Sequence, residues 1–93
     1  VPAPAGGDTV VYNVAGEGRA INITYVDTGG IMQTEFNVAL PWSKEVNLPA
    51  PAKNSASVAI LNVGRDVTCT VSVNGAQVRQ RTGRGLTICT GLA

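Results

Sequence analysis

The residues of this chain with the capacity for chemistry are two cysteines, six carboxylates and a short run of arginines, and no histidine accompanies them. Without an imidazole, neither a Ser-His-Asp nor a Cys-His arrangement can activate a nucleophile. Two cysteines alone leave a tetrahedral zinc ion short of ligands, so no metal or other cofactor is expected. Of the carboxylates, Asp8, Glu17, Asp27 and Asp66 fall in turns or in the leading segment, and Glu35 and Glu45 fall on outward strand positions. A glycosidase needs two carboxylates converging in a cleft. Nothing in this spacing brings two together, and all six are read as solvated surface charges. Gly83-Arg84-Gly85 lacks the helix N-terminus and the Lys-Ser/Thr pair of a phosphate-cradling loop. The residues therefore predict a domain that is not an enzyme.

What remains are features of structure and recognition. Cys69 and Cys89 are read as a disulfide, which implies an oxidising compartment; the alternative is a pair of buried free thiols. Arg79, Arg81 and Arg84 form a charge cluster, with Arg79 and Arg81 on one strand face and Arg84 in the following loop. Such charges protect an exposed sheet edge against aggregation. They would equally dock an acidic partner or anionic lipid head groups, which a guanidinium holds through paired hydrogen bonds. Trp42, the single tryptophan, sits beside Ser43 and Lys44. Its two readings are a core or corner aromatic whose indole N–H bonds a carbonyl and an exposed anchor for a partner or lipid. Asn22-Ile23-Thr24 matches a glycosylation sequon, but a mid-strand asparagine marks a chance match.

These residues are positioned by strands. Val67, Cys69, Val71 and Val73 alternate with Thr68, Thr70 and Ser72, the period of a strand with one buried face. Asn74-Gly75 then supplies two residues that accept positive φ, as a type I′ hairpin requires. A two-residue loop would set Val73 opposite Ala76, Val71 opposite Val78 and Cys69 opposite Gln80. Similar β-branched or alternating stretches occupy residues 9–14, 20–26, 31–38, 45–48, 57–63, 76–82 and 86–90. The first three strands are expected to form a meander, with Ile21, Ile23 and Tyr25 inward and Phe36 as the core aromatic. Residues 49–55 are expected to cross between sheets, and residues 64–66 to form a turn. Alternation puts Cys89 with Thr87 on the more polar face of the last strand, so a bulge or an edge position is needed to bring it to Cys69.

Seven to eight short antiparallel strands with Gly and Pro turns predict an all-β, Ig-like two-sheet sandwich held by one disulfide. Ninety-three residues make one domain with a thin core, and a net charge of +1 does not suggest nucleic acid as a partner. No apolar run approaches the roughly 18 residues of a membrane span. Residues 1–8, rich in Pro, Ala and Gly, are expected to be a linker to a targeting or anchoring segment outside this sequence, and residues 9–93 the β domain.

Tyr12-Asn-Val-Ala-Gly16, Ile23-Thr-Tyr-Val26, Leu40-Pro-Trp-Ser-Lys44, Thr68-Cys69 and Val73-Asn74-Gly75, followed by Cys89, resemble the soluble domain of the MmpS proteins, the small mycobacterial membrane proteins. The resemblance spans about residues 9–91. Where members of that family often place an acidic residue before the hairpin glycine, Asn74 stands here, and both suit the turn. The resemblance implies an N-terminal transmembrane helix in the inner membrane, a periplasmic β-sandwich with a disulfide, and work as an accessory to MmpL transporters. Those are RND-type exporters of envelope lipids and siderophores. The expected role is a non-catalytic adaptor docking a transporter's periplasmic domains, through Trp42, Ser43 and Lys44 and through Arg79, Arg81 and Arg84. The rivals are a lipid or siderophore carrier, which needs a cavity of several hundred Å3, and a structural organiser of the cell envelope.

Overall fold

In the computed structural model, which describes residues 7–49, 51–52 and 55–90, alternating sequence becomes strand almost without interruption. The strands are β1 (Gly7–Ala15), β2 (Arg19–Asp27), β3 (Ile31–Ala39), β4 (Trp42–Pro49), β5 (Ser57–Val73) and β6 (Ala76–Thr90). A 3-10 turn, Thr28–Gly30, joins β2 to β3, and the Asp27 carboxylate accepts the Thr28 N–H there. Of the linker expected over residues 1–8, only Gly7 and Asp8 lie within the described residues, and they already belong to β1.

All strand pairings are antiparallel, and the order β3-β2-β5-β1-β4, with β6 along β5, makes one sheet that folds back on itself. The fold is all-β, as the composition predicts, but the described residues form six strands rather than seven or eight, because β5 and β6 each run through a position read as a turn or loop. Residues 62–65 of β5 oppose the lone Gly85 of β6. At this bulge the hairpin bends, helped by positive φ at Gly64 and Gly85, which have no Cβ to clash. Inside the bend the buried Asn62 side chain donates to the Arg65 carbonyl at 2.8 Å.

Two layers result. In the first, β3 and β2 continue into residues 57–61 of β5 and 86–90 of β6. In the second, β4 and β1 continue into residues 66–73 of β5 and 76–84 of β6. β4 ends in the second layer and β5 begins in the first; of the crossing expected over residues 49–55, residues 50, 53 and 54 lie outside the described residues. The expected meander does not form: β1 pairs with β4 and β5, and only β2 and β3 are a sequential pair among the first three strands.

The hairpin turn matches its expectation, with positive φ at Asn74 and Gly75 and Val73 opposite Ala76. Past Ser72 the register shifts by one, so Val71 faces Arg79 and Cys69 faces Arg81, leaving Val78 as the extra residue of a bulge. The turn itself is clamped to β1. The Asn74 side chain accepts from the Thr9 N–H at 2.9 Å and donates to Asp8 at 2.8 Å, while Asp8 also accepts the Ala52 N–H.

Inward residues of both layers form one core: Val10, Tyr12 and Val14 from β1, Ile23 and Tyr25 from β2, Val46 and Leu48 from β4, and Val58, Ile60, Val67, Cys69 and Val71 from β5. Two expectations fail. Phe36 is 73% exposed and Ile21 also faces solvent, whereas Tyr12 is fully buried. The cause lies at Asn37, whose φ of 53° reverses the alternation of β3, so Val38 turns inward while Met32, Thr34 and Phe36 stay out. Opposite that point β2 reverses too, placing Ala20 and Ile23 inside and Ile21 outside.

Cys69 of the second layer and Cys89 of the first form the disulfide, with Cα atoms 6.1 Å apart. No bulge beside Cys89 is required. On this part of β6 it is Thr87 and Cys89 that face the core and Leu86 and Ile88 that face solvent. The bond therefore ties the folded hairpin across the interior of the domain.

Candidate partner-binding surface

Trp42 opens β4 on its inward face, half-buried at the seam between the free edges of β3 and β4. Its ring packs on Tyr25 with centroids 5.3 Å apart, and Tyr25 lies 5.9 Å from Tyr12. The indole N–H donates to Glu35 Oε1 at 3.3 Å and the Tyr25 hydroxyl donates to Glu35 Oε2 at 3.0 Å. Glu35, expected on an outward position, thus joins the two layers, and the indole bonds this carboxylate rather than a carbonyl. Lys44 shares the inward face of β4 and is half-buried, while Ser43 points to the opposite, solvent side. Pleating separates Ser43 from its two neighbours.

The arginines lie on the far edge of the same layer. Trp42, Val14, Cys69 and Arg81 are successive cross-strand partners, so three strand spacings, about 14 Å, separate Trp42 from Arg81. Arg79 is half-buried and its Nε donates to the Thr90 carbonyl at 3.1 Å, bridging the two halves of β6. Arg84 lies in the strand rather than in a loop, and its Nε meets Asp66 Oδ1 at 3.1 Å in an exposed ion pair. Arg81 is exposed on the free edge. Both clusters sit on edges, and they do not converge on one site.

The surface that sequence reasoning missed is the outer face of the first layer. Every large apolar side chain that stays exposed among the described residues belongs to that layer or, for Val63, to its corner. Phe36, Asn22, Leu61 and Leu86 are cross-strand partners in one row, and Thr34, Thr24, Ala59 and Ile88 form the next. The second layer presents the opposite surface: Ser43, Asn13, Thr70 and Gln80 in one row, then Glu45, Val11, Ser72 and Gln77. A soluble domain rarely concentrates its exposed apolar side chains so, and contiguous patches of this kind mark interaction sites. The signal was present in Leu86 and Ile88, which alternate against Thr87 and Cys89. The arginine edge and the apolar face meet at the bend, where Arg84 and Leu86 flank Gly85.

The tyrosines give this geometry a pH signature. Burial pushes the Tyr12 phenol up to about 12, and burial together with the hydrogen bond and charge of Glu35 pushes Tyr25 up to about 12. In the unfolded chain both ionise near the usual value of about 10. The folded state holds the protons more tightly, so stability is unaffected below about pH 10 and falls as pH rises from there towards 12. With only two tyrosines in the chain, ultraviolet difference absorbance should show no phenolate in the folded protein at pH 10, and ionisation and unfolding should coincide near pH 12. A tyrosine titrating near pH 10 with the fold intact would contradict the placement.

Comparison with known proteins bears on what this surface serves. The family model described as "Mycobacterium membrane protein" matches residues 3–91. The chain is 33% identical over 91 residues to the siderophore export accessory protein MmpS5 of Mycobacterium tuberculosis and to the probable transport accessory protein MmpS5 of Mycobacterium bovis. Those alignments cover 95% of this chain and 63% of each relative, so the chain spans somewhat under two thirds of their length. It is also 32% identical over 80 residues, 81% of this chain, to 26% of the probable transport accessory protein MmpS3 of Mycobacterium tuberculosis.

Proposed function

Because this chain belongs to the MmpS family of mycobacterial membrane proteins, we propose that it is the periplasmic domain of a non-catalytic adaptor, anchored in the inner membrane, that assists an MmpL-type RND transporter. The cargo class on this reading is a siderophore or an envelope lipid. The observation that carries it is the match along nearly the whole chain to relatives named as accessory proteins in transport and in siderophore export. The geometry supports it through surfaces. A two-layer scaffold, cross-linked through its interior, offers one uncharged apolar face that meets the arginine edge of the second layer at the bend beside Arg84. The occupant that suits this face is a periplasmic part of the transporter with apolar side chains and an acidic margin. Arg79 and Trp42 already serve the seams of the fold, Lys44 is half-buried on the inward face of β4, and Ser43 belongs to the polar side.

Charge reversal tests the arginine edge. Arg81→Glu with Arg84→Glu in the full-length protein should reduce recovery of the cognate transporter from detergent-solubilised envelope by about tenfold, as expected when like charges are set across an interface. Circular dichroism should be unchanged, because the Arg84–Asp66 ion pair is exposed and contributes little to stability. Undiminished recovery would remove the arginines from the docking surface.

A further inference from the structure

The strand β3 is unlike the other free edges of this sheet. Among the described residues it pairs with β2 along one side only, and of its nine residues Val38 alone is buried while Glu35 is half-buried. Ile31, Met32 and Phe36 are 60%, 58% and 73% exposed. Free edges are ordinarily guarded by Lys, Arg or Pro. The β6 edge carries Arg79, Arg81 and Arg84, and β4 carries Lys44 and Glu45 between Pro41 and Pro49. β3 carries no Lys, Arg or Pro, and its single charge, Glu35, is engaged by Tyr25 and Trp42. An unguarded apolar edge is a template for one more strand.

We infer that β3 is a self-association edge, and that a second copy of this chain adds its own β3 antiparallel to it, with Thr34 on the two-fold axis. The sequence of β3 specifies that register. Centring on Thr34 sets Thr34 against Thr34 of the second copy, Met32 against its Phe36, and Gln33 against its Glu35. Each is a favourable cross-strand pair, and each occurs twice by symmetry except the central one. Moving the axis to Glu35 would place two carboxylates directly opposite each other. Moving it to Gln33 would set Ile31 against Glu35. Both alternatives are penalised, so one register stands out. The positive φ of Asn37 limits the paired stretch to residues 31–36, about 20 Å of strand. A contact of that size belongs to the class below about 1,200 Å2, which is weak and reversible. The product is an eight-stranded layer whose two apolar outer faces run together.

Sedimentation velocity and thiol cross-linking test this inference independently of the transporter reading, because a monomer could dock equally well. The wild-type domain should shift from monomer towards dimer as its concentration rises into the high-micromolar range. Both native cysteines are bonded to each other, so Thr34→Cys introduces a single reactive thiol. It should oxidise to a covalent dimer at least about tenfold faster than Ser43→Cys on the exposed side of β4, since pairing raises the effective concentration of one thiol at the other. Phe36→Lys, at a position open to solvent, should leave the circular dichroism unchanged and abolish the shift. A wild-type domain that stays monomeric throughout, equal cross-linking rates for the two cysteine variants, or association that survives Phe36→Lys would each overturn the inference.

Discussion

Replacing Cys69 and Cys89 together with alanine should destabilise the domain by about 3 kcal/mol, the loop-closure contribution expected for a bridge across 20 residues. Small domains have only about 5–15 kcal/mol in total, so this is a large share. Both sulfurs are fully buried, and alanine in each place also removes core packing. Chemical denaturation of the double variant, or of the reduced wild type, should move the midpoint strongly downward. An unfolding free energy within a few tenths of a kcal/mol of wild type would mean that the bent hairpin holds its shape unaided.

Tyr12 gives the second large effect, since it carries the polar link between layers as well as the largest fully buried side chain. Its hydroxyl donates to the Val26 carbonyl at 2.7 Å and accepts the Ser57 N–H at 3.3 Å, so one side chain on β1 fastens the ends of β2 and β5. Tyr12→Ala should cost about 3–5 kcal/mol, the range for deleting a buried aromatic ring. Tyr12→Phe keeps the ring and should still cost about 1–3 kcal/mol, because buried backbone groups lose their partner. Equal stability of the phenylalanine variant and wild type would show that water or relaxation replaces both hydrogen bonds.

Much of the local structure was legible in the residues. Asn74-Gly75 dictates its turn whatever surrounds it, and the alternation of Val67, Cys69, Val71 and Val73 gives the face they bury. What alternation cannot supply is which face of a strand meets the core when both faces carry apolar residues. Phe36 was misplaced for that reason, and the reversal at Asn37 depends on a single backbone angle. Cys89 posed the mirror-image problem: its polar companion Thr87 suggested an outer face, yet the disulfide and the layer stacking draw both inside. Glycines at 64 and 85 read as turns because a glycine with positive φ serves a bend within a strand as well as it serves a loop. The docking candidates on the two edges were visible as residue types. The apolar face was not, since it exists only when β2, β3, β5 and β6 lie side by side.

The central claim, that the first layer is the working surface of an accessory domain, is met most directly by recovering the full-length protein with its cognate transporter after changing one layer at a time. Phe36→Glu with Leu86→Glu on the apolar face should abolish co-purification while the disulfide and the circular dichroism persist, and Thr70→Glu on the polar face should leave recovery at the wild-type level. Full recovery with the first pair, or its loss with Thr70→Glu alone, would contradict the account.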